Sequence, residues 1–289
     1  MKVRRLPTQS FRVLGCCAAL ILILPACKKS SAVSAEKAAL SIGALAKAAH
    51  EDVAEVRTGL PQGAKFLLPL FATGKPPAED PHAARRALET ARSKVQDLRV
   101  AKGTFFAVTD ASGVVIRDDD EQDTLAGKPL LPSFPGLAVV QGGQYVESRG
   151  SMPEVAGVRG RADGQWIAAQ PVLEGSDVKG WYVTGWSWSA YAYRLERALS
   201  SNLRSALAEG EKMPLAYVYM IVDKDVYGAP ISPVVNAQAI GAVSPLKNAS
   251  ATTPVTYELE IAGREFGLAV QLVPDLGKAV AVAVLRSET

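Results

Sequence analysis

Hydrophobic positions along the chain change period several times, and each change predicts an element. From Ala35 to about Thr58, with Leu60 just beyond, Ile42, Leu45, Ala49, Val53 and Val56 recur at three- and four-residue spacings, the stripe of an amphipathic helix. Gly59, Pro61 and Gly63 predict its end. FLLPLFATGKPPAED (66–80) is punctuated by prolines and reads as irregular. Asp80-Pro81 is a cap followed by proline at the first helical position, and Ala84, Leu88, Ala91, Val95 and Leu98 predict a second helix to about Val100.

The period then shortens to two. TFFAVTD (104–110) and GVVIR (113–117) flank a tight turn and predict a hairpin. Leu130 to Gly164 is rich in glycine and proline with weak periodicity. WIAAQPVL (166–173) and GWYVTGWS (180–187) predict two more strands, joined by a loop holding Gly175 and Asp177. A third helix is expected from about Ser189 to Ala208, since Tyr191, Leu195, Leu199, Leu203 and Leu207 fall every four residues before Gly210. LAYVYMIVD (215–223) again ends in Asp, VYGAPI follows a short turn, and VTYELEIAG, REFGLAVQLV and KAVAVAVL predict a meander. QPVL-EGSDVKG-WYVTGW and VQLV-PDLG-KAVAVAVL share the pattern strand, Asp/Gly turn, strand. The repeat is one of pattern, with little identity, and predicts two small α+β modules joined by the third helix.

The N-terminus has a different character. Lys2, Arg4, Arg5 and Arg12 precede an apolar run from Val13 to Leu24, too short to span a bilayer and suited to a signal-peptide core. It ends in Leu24-Pro25-Ala26-Cys27, which resembles the bacterial lipobox. That resemblance implies lipidation at Cys27, removal of residues 1–26 and an exported protein anchored by lipid on the periplasmic side of the inner or outer membrane. The whole chain has 32 basic and 29 acidic residues, and four of the basic ones lie in this leader. The rest carries 28 against 29, so the charge gives no support for nucleic-acid binding. Cys27 would be the only cysteine left, which excludes an intrachain disulfide or a multi-cysteine metal site.

Four stretches in order carry a second resemblance: the long first helix; FFAVTDASGVVIRDD with Gly127-Lys128-Pro129-Leu130; AAQPVLEGSDVKGWYVTGWS; and the amphipathic helix that follows. Together they resemble the extracytoplasmic Cache sensor domains, relatives of the PAS fold. The resemblance is good over residues 85–208, and the weaker match of 215–287 suggests the double form. It implies an α+β fold in which a long N-terminal helix packs on two PAS/Cache-like antiparallel-sheet modules in series. The expected segments are a leader (1–26), a lipidated tether (27–34), helices with the first module and its exit helix (35–210), and a smaller second module (211–289). It also implies a non-catalytic small-molecule sensor. The chain lacks the amino-acid-binding signature of the double form: Trp186-Ser187 stand near the late-Asp position, and neither neutralises an ammonium.

Candidate ligand contacts follow. Trp166, Trp181, Trp186 and Trp188 cluster with Tyr182, Tyr191 and Tyr193. Alternation puts Trp181, Val183 and Gly185 on one face of their strand and Tyr182, Thr184 and Trp186 on the other. Trp166, Tyr182 and Trp186 are candidate pocket walls, with core packing the competing reading. Arg117, Arg159 and Arg161 are candidate anion contacts. The acidic run Asp118, Asp119, Asp120, Glu121, Asp123 departs from a calcium loop, because Asp123 stands where glycine is needed, and it is expected to be a solvated sheet edge. His50 and His82 lack the i, i+4 partner of a helical metal site. No GxSxG, HExxH, phosphate loop or nucleophilic cysteine is present, so no catalytic residue, metal or cofactor is expected. Lacking an output domain, the protein would act through a membrane signalling partner. The alternative is a structural or assembly lipoprotein of the envelope that keeps the fold without a ligand.

Overall fold

A computed structural model describes residues 30–288; the expected leader and Cys27 lie outside the described residues. Helix α1 runs from Ser30 to Ala64. It is followed by α2 (Leu68–Phe71), α3 (Pro81–Lys94) and α4 (Gln96–Val100). The first sheet holds β1 (Phe105–Asp110), β2 (Val115–Asp118), β3 (Val146–Gly150), β4 (Gln165–Glu174) and β5 (Asp177–Ser187) in the order β2-β1-β5-β4-β3. Helix α5 (Trp188–Ala206) leads out of it. The second sheet holds β6 (Leu215–Val222), β7 (Asp225–Gly228), β8 (Val255–Ile261), β9 (Arg264–Leu272) and β10 (Val280–Ser287) in the order β7-β6-β10-β9-β8, with α6 (Val234–Ala242) after β7. The two orders are the same path walked twice, and every pairing is antiparallel. The expected α+β fold, with a long N-terminal helix on two antiparallel-sheet modules, is the one observed.

One core runs the length of α1. Ile42, Ala49, Val53, Val56 and Leu60 of the helix meet Phe106, Trp166, Tyr182 and Trp186 of the first sheet, and Val218, Met220, Val282 and Val284 of the second, in a single buried cluster. Each sheet has a separate cluster on its far face. In the first, Trp181, Val183 and Ile167 pack under Phe134, Leu137 and Met152. In the second, Tyr219, Leu268 and Leu285 pack under Ile240 of α6. No described helix is long and apolar enough to cross a membrane.

Three expectations are corrected. The first helix does not stop at Gly59. A Cβ at Gly59 would lie 2.7 Å from Leu98, and one at Gly63 would lie 2.5 Å from Leu98 and 2.6 Å from Tyr182. These glycines are notches that let α4 and the sheet approach the helix, and Pro61 lies within the final turn, where its missing N–H costs the helix one backbone bond near its end. The polar segment expected as a tether is helical from Ser30: the Ser31 hydroxyl donates to Glu258, and the Ser34 hydroxyl accepts from the Glu288 amide. The second helix breaks at Val95, whose extended backbone separates α3 from α4. Strand β3 and helix α6 had no periodic signal and were not expected.

Candidate functional site

The hairpin that opens the first sheet is built by carboxylates folded inward. Asp110 accepts from the amides of Ser112 and Val114 and so shapes the turn through Gly113 (φ 86°). A Cβ at Gly113 would lie 2.4 Å from the Trp181 ring, so glycine is required there on both counts. After β2 the acidic run does not face solvent as a whole, which corrects the sequence expectation. Asp118 is buried and accepts from the Asp120 and Leu125 amides, each at 2.9 Å. Asp119 accepts from the Phe106 amide and from Arg92. Asp123 stands in the left-handed region (φ 47°), accepts from the Asp118 amide and pairs with Arg117 at 2.6 Å. Burial pushes the Asp118 and Asp119 carboxyls up, with backbone donors opposing it. The run therefore replaces a missing strand partner with carboxylate-to-amide bonds. No group of three or more His, Cys, Asp or Glu among the described residues is arranged to hold a metal.

Beside this loop a cavity of about 400 Å³ opens at the end of the sheet. Thr104, Asp120, Glu154, Gly157 and Ser187 contribute to its walls. Asp118 and Asp119 also line it, but their oxygens are engaged inward. Glu154 is held below its usual range by a backbone amide, with help from Lys128 at 3.2 Å. Lys128 offsets Glu154, so the Asp120 carboxylate supplies the cavity's remaining negative charge.

The aromatic candidates lie elsewhere. Trp166, Tyr182 and Trp186 are fully buried beneath α1. Trp166 stacks on Trp186 at 4.3 Å, Trp186 on Tyr191 at 4.7 Å, and the Arg194 guanidinium sits 4.9 Å from the Tyr191 ring. The Tyr191 hydroxyl donates to Asp52 of α1 at 2.7 Å, and Arg194 pairs with the same carboxylate. Burial draws the Arg194 guanidinium down to about 10, still charged at neutral pH. The column joins β4, β5, α5 and α1. Trp186 Nε1, the Tyr182 hydroxyl and Glu55 Oε2 are buried beside it without a hydrogen-bond partner. The periodicity of α5 signalled Tyr191, but nothing local marked Asp52 or Arg194 as its partners.

The arginine candidates separate. Arg117 is consumed by Asp123 and by the Asp120 carbonyl. Arg159 is exposed on the loop after Gly157. Arg161 stands at the mouth of a different cavity, between the two sheets. A residue that sequence reasoning passed over is Arg57 of α1. It reaches Glu147 of β3 at 2.6 Å and Asp275 of the second module at 2.8 Å, so one guanidinium bridges both modules.

No family model matches the sequence, and no curated protein matches it. Solved structures do match the fold. The extracellular domain of the putative histidine kinase vpHK1S-Z8 superposes with a TM-score of 0.57 at 10% identity, over 89% of this chain and 92% of that one. A domain of a putative sensory box/GGDEF family protein from Vibrio parahaemolyticus gives 0.53 at 9% identity, over 90% and 98%. An extracellular ligand-binding receptor from Desulfohalobium retbaense gives 0.51 at 13% identity, over 87% of this chain and 40% of that one. The fold is Cache-like. Its doubled sheet path and shared long helix match the tandem form, as the resemblance implied. At these identities the likeness establishes the Cache-like architecture and leaves its use to the site itself.

Proposed function

We propose that this protein is an extracytoplasmic, non-catalytic small-molecule sensor, held to a membrane by lipid at Cys27 and signalling through a membrane partner. The observation that carries the reading is the tandem Cache-like fold with one helix packed on both sheets, so that a shift of either sheet bears on α1. The first-module ligand would enter the cavity bounded by Thr104, Asp120, Glu154 and Gly157, where Asp120, and Glu154 in exchange for Lys128, favour a cationic head. Trp166, Tyr182 and Trp186 would then act as the column that carries a change to α1 and α5, and Arg117 as a support of the cavity wall.

A thermal-shift screen of residues 30–289 against amines, amino acids, carboxylates, purines and divalent ions tests this. A ligand at 100 times its Kd should stabilise the fold by about 2.7 kcal/mol. Glu154→Gln with Asp120→Asn should remove that shift. A flat screen would favour a second reading, a structural or assembly lipoprotein of the envelope. One observation supports that alternative: the far face of the first sheet is filled by Trp181, Phe134, Leu137 and Met152. Globomycin sensitivity of processing, lost in Cys27→Ser, tests the anchor.

A further inference from the structure

The cavity at whose mouth Arg161 stands measures about 310 Å³ and is built by both modules. The loop before β4 contributes Arg161 and Asp163; β6, β7, the chain leading into α6 and α6 itself contribute Tyr219, Asp225, Tyr227, Ser232 and Ala237. Its volume sits at the lower bound for small-molecule sites, about 300 Å³. Two of its polar groups stand out. The Tyr219 side chain is fully buried and Ser232 is 7% exposed, and neither hydroxyl has a hydrogen-bond partner of good geometry. Burial pushes the Tyr219 phenol up to about 12, against the pull of nearby Asn236 and Ser232, so it is a neutral donor and acceptor at neutral pH. A buried hydroxyl left unpaired carries a desolvation cost that a bound partner would relieve.

The charges around the cavity cancel. The Asp163 carboxylate is spent on the Gly157 amide and on the amide and hydroxyl of Ser189 at the start of α5. Arg161 and Asp225 are exposed at the rim with opposite sign. An ionic head pushed against two neutral hydroxyls would lose its hydration without gaining a counter-charge. Gly228, Ala237, Val226 and Val234 make the remaining surface apolar. We propose that this seam is a second ligand site, separate from the first-module cavity, for a small uncharged amphipathic molecule whose oxygen or amide head meets Tyr219 and Ser232. Because the walls come from both modules, occupancy fixes one against the other.

Benzamide, benzoate and benzylamine share a shape and differ in charge, and serve as probes in an amide chemical-shift titration of the full chain. Benzamide should give saturable shifts confined to residues near 161–163, 219–220 and 226–237. Ala237→Leu, a good helix former that fills the space, should abolish them. Tyr219→Phe should weaken binding at least fivefold while leaving the melting temperature of the free protein unchanged or higher. Saturable binding of benzoate or benzylamine as tight as benzamide, absence of any saturable shift, or a lowered melting temperature in Tyr219→Phe would each overturn the proposal. The last would make the hydroxyl a structural group. Seam binding alongside a flat metabolite screen would leave this site standing while the first-module reading fell.

Discussion

Against α1 the first sheet presents Trp166, Tyr182 and Trp186, while the second presents Val218, Met220, Val282 and Val284. The strand paths are identical, yet the two interfaces work differently. Large rings fill the space between the helix and the first sheet, and Asp52, Glu55 and Arg194 lie beside them. Small aliphatic side chains and Gly267 let the helix backbone settle on the second sheet, where a Cβ at Gly267 would lie 1.9 Å from the Ala35 nitrogen. Topology therefore follows from strand pattern, whereas the helix-to-sheet distance and the polar load follow from side-chain volume. The first interface contains polar groups with unmet bonds; the second is a tight aliphatic seam.

The largest expected effect breaks the tight side. Gly267→Val drives a branched side chain into the backbone of α1, and should cost more than about 4 kcal/mol in urea denaturation, the range of severe overpacking. A cost under about 1 kcal/mol would show that the helix lifts freely and that the contrast between the interfaces is false. Next comes the polar side. Arg194→Met leaves Asp52 buried beside Tyr191 without its counter-charge, and should cost about 2–4 kcal/mol, below the full penalty of a wholly buried pair because Arg194 keeps some exposure. Asp52→Leu and Tyr191→Phe combined with Arg194→Met should recover most of that loss, since neither a buried charge nor an unpaired Tyr191 hydroxyl then remains. A triple variant as unstable as the single one would mean that packing, and not charge, is what the group supplies.

The smallest effect is one of sign. Burial pushes Asp275 up, but His50 and Arg57 outweigh it and leave the carboxyl below its usual range. Its stabilisation is complete above the unfolded value near 4 and is lost as pH falls through the folded value. Asp118 and Asp119 are raised, so their contribution is present below the unfolded value and lost as pH rises through the folded one. Acidification below about pH 4 should loosen the link from α1 to the second module while relieving the first hairpin. Asp275→Asn should flatten the acid limb of stability measured by denaturation at stepped pH. An unchanged limb would remove Asp275 from the account.

Much of this architecture was legible in the sequence. The hairpins at 104–117 and 166–187 are β-rich apolar runs around turn residues, and the first strand of each module, TFFAVTD and LAYVYMIVD, ends in Asp. Faces were also legible: alternation separated Trp181 from Tyr182 and Trp186, as observed. What was hidden depends on long-range neighbours. Gly59 and Gly63 have the local look of a helix stop, and only Leu98 and Tyr182, far along the chain, make them packing notches. Strand β3 is half-exposed at an edge and needs no apolar alternation. The seam cavity draws on residues separated by more than fifty positions, so no local window contains it.

The N-terminal helix has one further consequence, for the order of events in folding. Ser34 bonds to Glu288 across 254 positions, and Ala35 rests on Gly267. A chain that emerges N-terminus first, from a ribosome or a transport channel, produces α1 at the outset and β9 and β10 at the end. Until those strands arrive, the apolar stripe of α1 has only its first-module partners and Val218 and Met220 of β6. Contacts of such separation slow folding and leave sticky surface open to other chains. The second half of α1's seating is thus a completion signal: the helix locks only when the last strand has been delivered.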